Sequence, residues 1–198
     1  MGGDSEVRPS LISRRRVLAG GAAAWCSAGV AHATAPRDSA ESVLAREAAA
    51  AAAEDKNLLV VFFASWCVWC RPMDALFDDA NTGPIMARHF RILHLRVGER
   101  DRTLRAQQLS GVEAAFLRLT RPERDAGLPY LAILGGGDGR TISTTRSLVS
   151  GENIGFPSTT ADLDWFESMM RQGAPLITPA ELAHVRSTCI RLNGRRWR

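Results

Sequence analysis

The residues Leu58-Leu59-Val60-Val61-Phe62-Phe63 form a continuous apolar run of strand length. Such a run suits a central strand covered by helices on both faces. Residues 39–55, ahead of it, are rich in Ala with Leu44, Arg46 and Glu47 interspersed. These side chains lose little rotamer freedom in a helix, so a helix is expected to precede the strand. After the run, Ala64-Ser65-Trp66 turns the chain and helical spacing resumes from Pro72 to about Ala80. A helix over residues 84–89 leads into Phe90-Arg91-Ile92-Leu93-His94-Leu95-Arg96-Val97, which partly alternates and reads as a second strand. Residues 103–119 place apolar positions at helical spacing, with a break expected at Ser110-Gly111.

Leu128-Pro129 opens a third strand, Tyr130-Leu131-Ala132-Ile133-Leu134. The cluster Gly135-Gly136-Gly137-Asp138-Gly139 is a turn signal feeding residues 141–145, so the two strands read as a hairpin. Its glycines lack the spacing of a phosphate loop, and no Lys-Ser/Thr pair follows them. Thr159 or Thr160 can cap a helix through Gln172, and Thr178-Pro179-Ala180-Glu181 is a capping box opening a helix to about Leu192. There is no internal repeat. The expected fold class is α/β, a central mixed β-sheet flanked by helices with one additional C-terminal helix.

Composition changes this picture little. Apolar residues at 45% and charged residues at 23% are ordinary for a globular chain of 198 residues. Of the 25 basic and 21 acidic residues, four basic and two acidic ones precede residue 34, which leaves a net +2 for the remainder. That excess is too small and too scattered to point to nucleic acid.

The N-terminus does change it. Arg14-Arg15-Arg16 stands before a short apolar stretch through Trp25, and Ala31-His32-Ala33 closes it before Thr34. A basic segment, a short apolar segment and small residues at a cleavage point are the parts of a secretory signal peptide. The arginine pair resembles the twin-arginine export signal, with Val17 where that signal usually carries Phe and Ala19 where Lys is often found. The apolar stretch is short of the roughly 20 residues a spanning helix needs. Membrane contact is therefore expected only if the signal stays uncleaved, and Cys26 is expected to leave with it.

Four cysteines, Cys26, Cys67, Cys70 and Cys189, are too few for a disulfide scaffold. Cys67 and Cys70 sit at the strand-to-helix junction. A thiolate is the attacking species in disulfide exchange, and the N-terminus of a helix stabilises one, so Cys67 reads as nucleophile and Cys70 as resolving thiol. Half of a zinc site and a chance pair of buried thiols remain alternatives. Zinc takes about four ligands, and beyond Cys189 the mature chain offers only His89, His94 and His184 as further soft donors, none at ligand spacing to a second cysteine. Cys189 falls on an apolar position near Val185 and Leu192 and reads as a buried structural thiol.

Phe62-Phe63-Ala64-Ser65-Trp66-Cys67-Val68-Trp69-Cys70-Arg71-Pro72-Met73 resembles the active-site segment of the thioredoxin superfamily, and Gly127-Leu128-Pro129-Tyr130 resembles its cis-proline loop. The likeness extends over about residues 40–172. It implies a thioredoxin-like fold with Cys67 and Cys70 as a catalytic redox disulfide. It also implies that Trp66, Val68, Trp69, Leu128 and Pro129 meet the substrate, Pro129 being cis. The expected organisation is a signal peptide over residues 1–33, a thioredoxin-like domain over 34–175 and a helical extension over 176–198.

Departures from the family pattern bear on mechanism. Val61 stands where the family often buries an Asp beneath the cysteines, so proton transfer needs water or another group. Leu128 replaces a smaller or β-branched residue before the proline. Val68-Trp69 supplies neither the His of strong oxidants nor the Pro of thioredoxin, and Trp69 can either face the substrate or pack inward. The pair resembles periplasmic thioredoxin-like reductases, which favours a reductant over a strong oxidant. The expectation is a periplasmic thiol–disulfide oxidoreductase without cofactor or metal. Its partners would be exported client proteins with disulfides and an upstream electron-transfer thiol partner, without nucleic acid. The rivals are a metal-binding or copper-delivery module using the same cysteines and a non-catalytic adaptor of the same fold.

Overall fold

A computed structural model of the chain describes residues 38–120 and 126–195. The export signal expected over residues 1–33, with Cys26, lies outside the described residues. Helix α1 (Ala40–Ala53) starts where Ser39 caps it, the Ser39 hydroxyl accepting the Ser42 N–H at 3.1 Å. The helix ends at Glu54, and Asp55 adopts a φ of 55°, a left-handed conformation that Asp tolerates better than most residues.

The chain then enters β1 (Asn57–Phe63), the strand from which the sheet is built. β1 runs parallel to β2 (Phe90–Arg96), with Val61 opposite His94, and antiparallel to β3 (Tyr130–Leu134), with Val61 opposite Leu131. β4 (Thr141–Thr144) completes the order β2-β1-β3-β4. Both faces of β1 are covered, which explains why no polar residue interrupts its apolar run. Leu59 and Val61 join one cluster with Met73 and Leu76 of α2 (Cys70–Phe77) and Phe166 of α6 (Thr160–Gly173). Leu58, Val60 and Phe62 join the other with Leu44 of α1 and Ala115 of α5 (Val112–Thr120). These five of the seven β1 side chains are fully buried, and each such burial stabilises the fold by about 1.5–3 kcal/mol.

Local chemistry moves several boundaries from their expected places. Helix α2 stops at Phe77, short of Ala80, because Asp79 turns its carboxylate onto the following backbone. Asp79 Oδ1 accepts the N–H groups of Asn81 and Thr82 at 3.0 Å each, which starts α3 (Thr82–His89). The helical stretch expected over 103–119 is broken as anticipated, into α4 (Arg102–Ala106) and α5. Gly111 takes a φ of 74° in the break, and Ser110 O accepts the Ala40 N–H at 2.8 Å. The β3–β4 hairpin is present, closed by Gly135 N–H donating to Arg140 O at 2.8 Å. Thr159 rather than Thr160 caps α6, with Asp162 completing a capping box.

Helix α7 (Pro179–Asn193) opens on the expected box of Thr178 and Glu181. Its Leu182, Val185, Cys189 and Leu192 enter the same core as Met73 and Leu76 of α2, and the Thr82 and Thr188 hydroxyls bond at 2.9 Å within that seam. The C-terminal helix therefore braces the helix that carries the cysteines. No helix among the described residues is long and apolar enough to cross a membrane.

Glu181 also ties stability to pH. Its carboxylate accepts the Thr178 N–H at 2.8 Å and the Thr178 hydroxyl at 2.9 Å, and meets His89 Nε2 at 3.1 Å. These bonds, the Thr178 backbone bond foremost, lower its pKa from the usual 4.5 to about 2. The unfolded chain therefore takes up this proton first as the pH falls. The contribution is whole above pH 4.5 and is lost between 4.5 and about 2. The urea midpoint is expected to drop across that window, and Glu181→Gln to flatten the drop. A slope indifferent to the substitution would show that Glu181 does not couple to folding.

Candidate functional site

From Phe63 the chain passes through a turn before the next helix begins. Cys67 N–H donates to Ala64 O at 3.1 Å. Cys70 N–H donates to Cys67 O at 3.2 Å and also meets Cys67 Sγ at 3.1 Å. Cys70 is the first residue of α2, so Cys67 stands one turn ahead of the helix and the helix's first N–H points at its sulfur. The two sulfurs are joined as a disulfide, with Cα atoms 5.3 Å apart. In the reduced form an N–H donor and the positive end of a helix dipole both favour negative charge on Cys67. A pair of sulfurs so placed can interconvert between dithiol and disulfide, storing two electrons.

Exposure around the pair is uneven. Cys67 and Cys70 are buried, whereas Trp66, Val68 and Trp69 are 40%, 47% and 54% exposed. Trp69 thus faces outward, which settles the choice between core and surface that its sequence position leaves open. Trp66 is held from the other side. Its indole N–H donates to Gly98 O at 2.7 Å, and the Arg100 guanidinium lies 4.1 Å from its ring centre.

The Leu128–Pro129 bond is cis, and Leu128 packs against Ala64, Cys67 and Cys70. Sixty residues apart in sequence, this loop and the cysteine turn meet because β1 and β3 are paired neighbours. Trp69 and Leu128 share a groove of about 690 Å³ with Gly127, Glu152, Asn153 and Ile154. Trp66 and Leu128 share a smaller groove of about 280 Å³ with Phe116 and Leu117. Val68 stands exposed next to Cys67 and lines neither groove.

Val61 is fully buried among Met73 and Leu76, so the position beneath the cysteines holds no carboxylate. A buried carboxylate lies elsewhere. Glu99, just past β2, has a fully buried side chain that accepts the Ser65 N–H at 2.8 Å and the Ser65 hydroxyl at 2.6 Å, with Arg96 Nε at 3.6 Å. It fixes the turn that carries Trp66 and Cys67. In Arg96-Val97-Gly98-Glu99-Arg100-Asp101 this residue reads as one more charge in a polar loop, and no sequence signal marks it. Asn153 was equally unmarked, lying in a Ser/Gly-rich stretch. Its amide donates to Gly127 O at 3.2 Å and Pro129 O at 3.1 Å.

The remaining titratable groups have separate places. Partial burial raises the pKa of Asp74, one turn beyond Cys70, with His94 opposing the shift and Asp78 adding to it. Burial pushes the Cys189 thiol up to about 12, so it is inert at neutral pH, as its apolar position predicts. Among the described residues no three of His, Cys, Asp and Glu are grouped as metal donors. Among the described residues a metal at Cys67 and Cys70 would find two protein ligands where zinc takes about four.

Comparison with known proteins bears on residues 39–135, which match the family model described as thioredoxin-like. That span runs from the cap of α1 past β3 and contains both the cysteine turn and the Leu128–Pro129 loop. A solved structure of a disulphide isomerase from Xylella fastidiosa Temecula1 is similar at 25% identity and a TM-score of 0.42, covering 55% of this chain and 74% of that one. A DsbH oxidoreductase is similar at 15% identity and a TM-score of 0.36, covering 55% and 69%. No protein of curated function matches the sequence. The fold is thioredoxin-like, α/β, with a mixed four-stranded sheet flanked by helices and a C-terminal helix.

Proposed function

We propose, from the premise of this thioredoxin-like fold, that the chain is an exported thiol–disulfide oxidoreductase that reduces disulfides in other proteins. The observation that carries the proposal is the Cys67–Cys70 disulfide at the turn before α2, with Leu128 of the cis-proline loop packed against it. In the reduced enzyme the Cys67 thiolate attacks one sulfur of a client disulfide. The S–S bond of the client breaks, its second sulfur leaves as a thiolate and takes a proton, and a mixed disulfide forms on Cys67. Cys70 then loses its proton and attacks Cys67 Sγ. The client's remaining sulfur is released as a thiol, and the two electrons have passed to the client. An upstream dithiol partner restores the enzyme by the same steps in reverse. No cofactor is needed.

Two features support the direction and the compartment. Val68 and Trp69 offer an apolar, exposed face beside Cys67 and no imidazole to stabilise its thiolate, which favours a reductant. Arg14-Arg15-Arg16 and the short apolar stretch after them support twin-arginine export to the periplasm. Equilibration of the Cys67–Cys70 pair with glutathione or dithiothreitol buffers tests the direction. A potential near about −270 mV is expected, and one near about −120 mV would make the chain an oxidant instead. Failure of the reduced chain to open any protein disulfide would overturn the activity itself.

A further inference from the structure

After β4 the chain makes a small antiparallel excursion before α6. Ile154 N–H returns to Thr145 O at 3.0 Å and Ser147 N–H bonds Glu152 O at 2.9 Å, so the returning limb runs back beside the cis-proline loop. Asn153 sits on that limb and spans the two segments. One Nδ2 amide donates to both Gly127 O and Pro129 O, at 3.2 and 3.1 Å, while Oδ1 accepts the Gly155 N–H at 3.1 Å. The carbonyls on either side of Leu128 are therefore held by a single side chain. The N–H and C=O of Leu128 itself have no hydrogen-bond partner among the described residues. The backbone on both sides is shaped to this contact. Gly127 and Gly155 adopt φ of 66° and 58°, and a Cβ on Gly127 would lie 3.6 Å from the Asn153 amide nitrogen.

We infer that Asn153 is a positioning residue that fixes the Leu128 backbone and the groove beside Trp69 for an extended polypeptide, and so sets the preference for protein disulfides over small ones. The inference rests on the exchange activity proposed above. Its chemistry follows from the amide. Two carbonyl acceptors need two N–H donors on one atom, which Asn supplies at this reach and which Asp cannot, since a carboxylate would face two acceptors. A polypeptide that pairs with the Leu128 backbone depends on that backbone being held. It also lies along Trp69, Ile154 and Glu152, which share the groove. A small disulfide that reaches Cys67 without using the groove does not depend on it.

The test compares wild type, Asn153→Asp and Asn153→Ala in the exported form of the full chain, with insulin as protein disulfide and a small aryl disulfide as the control. Asn153→Ala removes the bonds without adding a charge and carries the test if Asn153→Asp does not fold. The expected result is a KM for insulin raised about tenfold, the equivalent of one to two hydrogen bonds, at nearly unchanged kcat. The rate with the aryl disulfide and the Cys67–Cys70 potential should stay at wild-type values. Equal losses on both substrates with a shifted potential would make Asn153 a structural residue only, and unchanged insulin kinetics would overturn the inference directly. A wild type inactive on both substrates would instead remove the exchange activity on which the inference stands.

Discussion

Cys67→Ser is expected to bring protein-disulfide reduction down to the uncatalysed background, whereas Cys70→Ser is expected to attack its clients once and stay attached to them. The asymmetry follows from the turn. The first N–H of α2 points at Cys67 Sγ at 3.1 Å, so the reduced Cys67 has a donor and a helix dipole to hold its charge. Cys67 also stands between exposed Trp66 and exposed Val68, and Leu128 of the cis-proline loop packs on the pair. Serine at 67 removes the one sulfur so placed among the described residues, and serine at 70 removes only the group that resolves the adduct. Incubation of each reduced variant with periplasmic extract, followed by non-reducing electrophoresis, reads this out. Adducts released by dithiothreitol should appear with Cys70→Ser and not with Cys67→Ser. The reverse pattern would exchange the two roles. Wild-type insulin reduction no faster than that of Cys67→Ser would leave the chain an adaptor whose cysteines do no chemistry, and stoichiometric zinc or copper lost in both variants would favour metal binding.

What could be seen of this in the sequence is what local chemistry writes there. The apolar run at 58–63 requires cover on both faces and has it, and the capping box at Thr178 and Glu181 starts a helix wherever the chain places it. The break at Gly111 and the glycine turn before β4 follow from backbone freedom alone. The cysteine turn was legible because two sulfurs one turn apart at a strand-to-helix junction are rare outside redox and metal chemistry. The end of α2 was not, because Asp79 competes for the backbone through its side chain, and an Asp after a helix can equally be exposed.

Contacts between distant segments explain the rest. Trp69 has the same composition whether it faces the core or solvent, and only the placement of α2 against the sheet decides it. Glu99 meets Ser65 across 34 residues and Asn153 meets Gly127 across 26. Neither spacing carries a period or a motif. Both polar residues fix loops rather than elements, and loops are where a sequence pattern says least about direction. The cysteines and Pro129 could be named in advance, but the side chains that hold them in place required the register of β1 with its two neighbours.

Glu99→Ala is accordingly expected to cost far more than a charge in a surface loop would. Its side chain is fully buried, and it accepts both the N–H and the hydroxyl of Ser65. Its own carbonyl accepts Arg105 Nε at 2.9 Å, which ties the loop to α4. Truncation leaves a cavity beneath the turn and strands two donors, and bonds to a charged acceptor contribute more than neutral ones. The loss should be about 2–4 kcal/mol, seen as a fall in melting temperature of roughly 5–15 °C. Arg96 is partly solvated and is not left as a buried unpaired charge, which keeps the cost below that of breaking a fully buried ion pair. Ser65→Ala removes only the hydroxyl bond and should cost about 1 kcal/mol. Because the two residues share one contact, the double variant should lose less than the sum of the single ones. Thermal unfolding of the three variants decides the matter. If Glu99→Ala melts within about 1 °C of wild type, or the two losses simply add, Glu99 does not hold the cysteine turn.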